Sequence, residues 1–172
     1  MKNLFFILFI SAVITNLIMK IDEISFERST HSKFDIFKFE LPGGKANLQQ
    51  TIEKWNTTEQ KEFILKQLGY DYIFMSLFFP SILVLGFFVI EIIQDKTKNT
   101  SVLNILKWVA LFQLIAWLFD FCENIRLEKW IIQNAVGNMF LFEPMVYAKF
   151  SIAIIGLILP LFFLIKSKFN AS

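Results

Sequence analysis

Cysteine, histidine and charge are all scarce in this chain. One cysteine, Cys122, excludes a disulfide framework and any CxxC redox or zinc site within the chain. The only histidine, His31, lies in the polar stretch Ser29-Thr30-His31-Ser32, with nothing nearby to complete a metal site, so no metal or cofactor is expected. No Gly-rich phosphate loop, HExxH or GxSxG string is present, which argues against nucleotide use, zinc proteolysis and α/β-hydrolase chemistry. Charged residues make up 19% of the chain, against about 25% for a soluble domain. A net charge of +2 is too mild to argue for nucleic acid.

Apolar residues are abundant. They form 55% of 172 positions, 22 of them Phe, and mean hydropathy is +0.54. A soluble fold of this size could not hide so much apolar surface, so the expected class is an all-α integral membrane protein. A membrane helix needs about 20 mostly apolar residues. Four segments qualify, at about 4–20, 71–93, 102–125 and 145–166. The first has the basic start of a signal peptide, but no small-x-small cleavage site precedes Lys20, and it is read as a span. In the second, Tyr72 to Ile90 carries no charge, and Pro80 inside it removes one backbone hydrogen bond. The fourth opens after Pro144. Between spans three and four, Leu127 to Phe142 is amphipathic, and Gly137 and Asn138 mark a break.

Residues 21–70 form an outer loop of about 50 residues that is expected to be ordered. KFDIFKFEL (33–41) alternates apolar and charged residues and predicts a short strand or hairpin ending at Pro42-Gly43-Gly44. From Lys45 to Leu68 the pattern is helical, with Leu48, Ile52, Trp55, Phe63 and Leu68 on apolar faces. Asn56-Thr57-Thr58 supplies a cap for a second helix there. The charges beside the short connections (Lys2, Lys96, Lys98, Lys166 and Lys168) place both termini in the cytoplasm of a cell-membrane protein. The Asn56-Thr57-Thr58 and Asn99-Thr100-Ser101 glycosylation patterns are weak signals and leave that reading unchanged.

The main candidate site lies on the third span. Only 12 uncharged residues separate Lys107 from Asp120, about 18 Å of helix, so both charges cannot sit outside a 30 Å core. Lys107 can snorkel; Asp120 cannot reach far. Helical spacing puts Gln113, Trp117, Asp120, Glu123 and Asn124 on one polar stripe. Such groups at membrane depth face a bundle interior or a water-filled cavity. Asp71 and Tyr72 begin the second span at the same level; Glu143, Tyr147 and Lys149 begin the fourth, and Arg126 follows the third.

Two carboxyls in a buried cluster can divide into a proton donor and a proton acceptor. In an acid–base enzyme of isomerase or hydrolase type, Asp120 and Glu123 would be the catalytic pair acting on a lipid or isoprenoid. Asp71, Asn124, Gln113, Trp117, Tyr72, Tyr147 and Arg126 would hold the ligand. The enzyme is the alternative to a leading reading, a protein that binds a lipid-like or hydrophobic ligand at the same cluster without chemistry. In a third, the acids are neutralised by Arg126 and Lys149 and lock the helices of a structural or accessory subunit. The partners implied are membrane lipids, with a membrane-protein partner or a second copy of the chain as further candidates. Cys122 is read as an inert buried thiol, and Glu91 with Lys107 as a second structural pair.

Phe39-Glu40-Leu41 followed by Pro42-Gly43-Gly44, the Ile52…Trp55 helix, Leu68-Gly69-Tyr70-Asp71-Tyr72-Ile73-Phe74 and Trp117-Leu118-Phe119-Asp120-Phe121-Cys122-Glu123-Asn124 carry a family resemblance. With these motifs the chain resembles a group of small bacterial four-span membrane proteins that brings no known activity. The resemblance implies the same four-helix bundle and draws attention to Asp71, Asp120, Glu123 and Asn124 without assigning them roles.

Overall fold

A computed structural model describes residues 1–95 and 100–169, the side chain of Lys168 excepted. Lys96, Lys98 and Asn99, used above for orientation and as a glycosylation pattern, lie outside the described residues. The fold is all-helical: α1 (Lys2–Thr30), α2 (Phe37–Glu40), α3 (Lys45–Lys54), α4 (Thr58–Ile93), α5 (Thr100–Gln133) and α6 (Phe142–Phe169). α1, α4, α5 and α6 are each long and apolar enough to cross a membrane. The spans fall where hydropathy put them, but every helix is longer than its span. At 1.5 Å per residue, the 36 residues of α4 reach about 54 Å, well beyond a hydrocarbon core of about 30 Å.

That extra length changes the outer loop. α1 continues past Lys20 to Thr30, where His31 ends it in the left-handed conformation (φ 54°). α4 is capped by Thr57, whose side chain and that of Gln60 form a reciprocal capping box. The second helix expected in the loop and the second span are therefore one helix. Asp22 joins the two extensions, accepting from Lys66 at 2.6 Å and from Gln67 at 3.0 Å. The true connection is only residues 31–57.

No strand is found among the described residues, so the expected strand or hairpin over 33–41 is corrected to coil and the single turn α2. An isolated strand would leave its amides unpaired. Instead Phe39 and Glu40 donate to Ile36 O, and Leu41 donates to Phe37 O, at 2.8–3.1 Å. The turn that follows uses Gly43 and Gly44 at φ 72° and 124°, a region closed to most side chains.

The loop builds its own core at one end of the bundle. Phe34, Phe39, Leu48, Ile52, Phe63, Leu127, Trp130 and Phe142 are all buried in one cluster there. Gln49 fastens α3 to the α5–α6 turn by donating to Asn134 O and accepting from Val136 N, and Gly44 N donates to Glu143. In the spans α4 packs on α1, α5 and α6, and α5 packs on α6. Small residues bring the helices together: a Cβ added at Gly86 would lie 2.7 Å from Ala110 Cβ. α1 stands apart, packing on α4 without a comparable interface to α6, and most of its apolar surface is exposed.

Candidate functional site

Buried positions on α5 follow one stripe: Gln113, Ala116, Asp120, Glu123, Asn124 and Leu127. On α6, Val146, Lys149 and Ala153 are buried at helical spacing. The two stripes meet beneath the loop, and Lys149, only 3% exposed, lies at the centre of the resulting cluster. Its Nζ is 2.5 Å from Asp120 Oδ1, to which it donates, and 2.6 Å from Glu123 Oε2. Glu40 of α2 stands above at 3.8 Å, beyond hydrogen-bond range. Asn124 donates to Asp71 at 2.6 Å, which ties α5 to α4 at the same level. Glu123 Oε1 and Asn124 Oδ1 are buried without a hydrogen-bond partner.

Beside the cluster is a cavity of about 200 Å³. Its polar lining includes the acids Glu23, Glu40, Asp71 and Asp120 and the cations Lys20 and Lys149, with Asn16 and Gln67, while Met19, Phe74, Phe78, Phe79, Phe150 and Ala153 line its apolar part. Its walls belong to α1 on one side and α6 on the other, with α4 as the floor and the 34–40 segment as the roof. The α1–α6 side is the seam that helix packing leaves open.

The site residues named from the sequence divide into those that converge and those that do not. Asp71, Asp120, Glu123 and Asn124 do converge, and Asp71 and Asp120 reach the cavity. Gln113 lies deeper, donating to Ile152 O at 3.0 Å and to Val109 O at 3.2 Å, where it joins α5 to α6. Trp117 packs at 6.0 Å from Phe121, its Nε1 buried without a partner, and Tyr72 pairs with Glu128. Neither lines the cavity. Tyr147 is exposed. Arg126 stays outside the cluster: its guanidinium binds Asn138 O and Phe140 O and stacks 5.1 Å from the Trp130 ring. Cys122, expected buried, is exposed, and Glu91 and Lys107 form no ion pair among the described residues.

Lys149, named from the sequence as a counter-ion to the acids, does pair with Asp120 and Glu123, and its spacing from Val146 and Ala153 puts it on the inward stripe. Two site residues, Gln67 and Glu40, were not given a place in the cluster beforehand. Gln67 precedes the apolar run of α4 and is buried by α1. Glu40 has no helical pattern around it, and only the folding of the loop brings it in.

Burial pushes the Glu40 carboxyl from its ordinary value up to about 7; Lys149 opposes the rise, while Asp71 and Asp120 add to it. Between the ordinary value and 7 the folded protein therefore holds a proton that the unfolded chain has released. Its contribution is complete below the ordinary value and is lost as pH rises through about 7. Thermal unfolding from pH 5 to 8 should show this decline, with Glu40→Gln flattening the curve and melting higher than the unsubstituted protein at pH 8. Parallel curves would remove Glu40 from the balance.

The fold defines the class: a helical bundle with four helices compatible with a multi-pass membrane protein. Comparisons with family models, with curated proteins and with solved structures find no match.

Proposed function

We propose that this protein binds a lipid-like ligand in the cleft between α1 and α6, with the ligand's head at the Glu40–Asp71–Asp120–Lys149 cluster. One observation carries the reading: an apolar, Phe-rich cavity ends on buried charged groups and lies along the seam where α1 and α6 do not close. Concave, mostly apolar sites with a few convergent polar groups are the usual form of small-molecule pockets. The lysines at the chain's two ends support cytoplasmic termini, which puts the cluster near the outer leaflet of the cell membrane.

Binding is favoured over acid–base catalysis by the placement of the two carboxyls. Asp120 and Glu123 converge on one ammonium rather than on open space, and Glu123 does not line the cavity. The test is native mass spectrometry of protein released from lipid nanodiscs. Unsubstituted protein should retain an amphiphile through delipidation, and Ala153→Phe, whose ring would fill the cleft, should release it while still melting cooperatively. Equal retention by both would place the lipid elsewhere.

A further inference from the structure

The chemistry of the cleft narrows the ligand. Acids outnumber cations on the cavity lining, and both cations are already paired: Lys149 with Asp120 and Glu123, and Lys20 with Glu23 at 2.6 Å. Glu40, only 8% exposed, lines the cavity, and its one ion pair among the described residues is long: the Lys149 ammonium stands 3.8 Å away, held more closely by Asp120 and Glu123. Asp71 receives a single hydrogen bond, from Asn124 to Oδ2. Three carboxyls thus share one ammonium, with Asp71 held beside them only by Asn124, and buried acids so thinly supplied with cations and donors are costly. A phosphate or carboxylate head would meet these acids with like charge. A protonated amine would supply donors and charge together, and the rings of Phe34, Phe37 and Phe150 around the same cavity suit a cation. Size limits the guest as well, since about 200 Å³ is below the roughly 300–1,000 Å³ of drug-sized pockets.

We propose that the cleft selects a single-chain amphiphile with a compact amine head, the ammonium seated between Glu40, Asp71 and Asp120 and the chain running past Phe74 and Phe78. This rests on the reading of the cleft as a lipid site. The test uses the full chain in phosphatidylcholine nanodiscs with three probes of equal chain length: dodecylamine, dodecanol and dodecanoate. Binding is read at pH 7 as saturable adducts in native mass spectrometry. Dodecylamine should bind at least about tenfold tighter than dodecanol, as expected for charge-assisted hydrogen bonds, and dodecanoate should not saturate. Glu40→Gln should bring dodecylamine affinity down toward that of dodecanol measured on the same variant, and an amine preference of undiminished size would remove Glu40 from the head site. Equal affinity for amine and alcohol in the unsubstituted protein would overturn the selectivity and leave the cleft as a neutral lipid site. Failure of all three probes to saturate would overturn the lipid site as well. The comparison of heads needs no variant, so a substitution that misfolds does not decide it.

Discussion

Lys149→Met is expected to be the most damaging single substitution in the cluster. It removes the ammonium that Asp120 and Glu123 share at 2.5 and 2.6 Å and leaves both carboxylates buried beside Glu40. Deleting one partner of a buried ion pair costs about 3–5 kcal/mol, because the remaining charge has neither water nor counter-ion. At roughly 2–4 °C per kcal/mol for a chain of this size, thermal unfolding in nanodiscs should drop by about 6–20 °C. Asp120→Asn and Glu123→Gln should each do much less, since three acids repel one another around one cation and losing one relieves that repulsion. Combining Lys149→Met with Asp120→Asn and Glu123→Gln should recover most of the loss, because the methionine stem then packs among neutral groups. If Lys149→Met melts within 2 °C of the unsubstituted protein, at odds with the deletion cost above, the cluster is hydrated and the ion pairing does not hold the bundle.

Gly156→Val tests the seam between α5 and α6. A Cβ at position 156 would collide with Gln113 Nε2 and sit 2.9 Å from Ile82 Cγ2. Gln113 is fully buried and cannot move without giving up its bond to Ile152 O. Overpacking costs about 1–3 kcal/mol. An orphaned buried amide adds about 1–3 kcal/mol, so a loss of roughly 2–6 kcal/mol is expected. Shortening the opposing side chain with Gln113→Ala should offset part of it, a coupling that a double-mutant cycle would measure. Gly69→Ala is the control: a Cβ there meets nothing within 4 Å, and replacing a helical glycine should stabilise by about 0.5–1 kcal/mol. Equal melting of Gly156→Val and Gly69→Ala would mean that α6 is free to move away from α5.

These two tests also mark where the chain's pattern was readable. The polar stripe Gln113, Asp120, Glu123, Asn124 could be drawn from helical spacing alone, and all four residues are buried. Asp71 was placed at their level by its position at the head of an uncharged run, and it meets Asn124. Arg126 and Tyr147 lay at the same height but on other helix faces, and height along a helix says nothing about azimuth. Helical spacing from Val146 could have turned Lys149 inward, but a lysine near a span end can equally follow its stem outward. Only the presence of Asp120 and Glu123 on the facing helix decides between them.

The loop was the least legible part. Alternation in KFDIFKFEL satisfies the period of a strand, yet a strand needs a neighbour, and among the described residues none exists. Local turns satisfy the same amides and carry Glu40 over the cleft.

By itself the amino-acid sequence determined the class, the four apolar helices and the polar face of α5, because hydrophobic run length and helical periodicity are local properties of the chain. The tertiary structure decided that α1 leans on α4 and leaves a seam toward α6, that one lysine serves several acids, and that Glu40 roofs the cavity. Those facts depend on which faces of distant segments meet, and the packing of whole helices sets that.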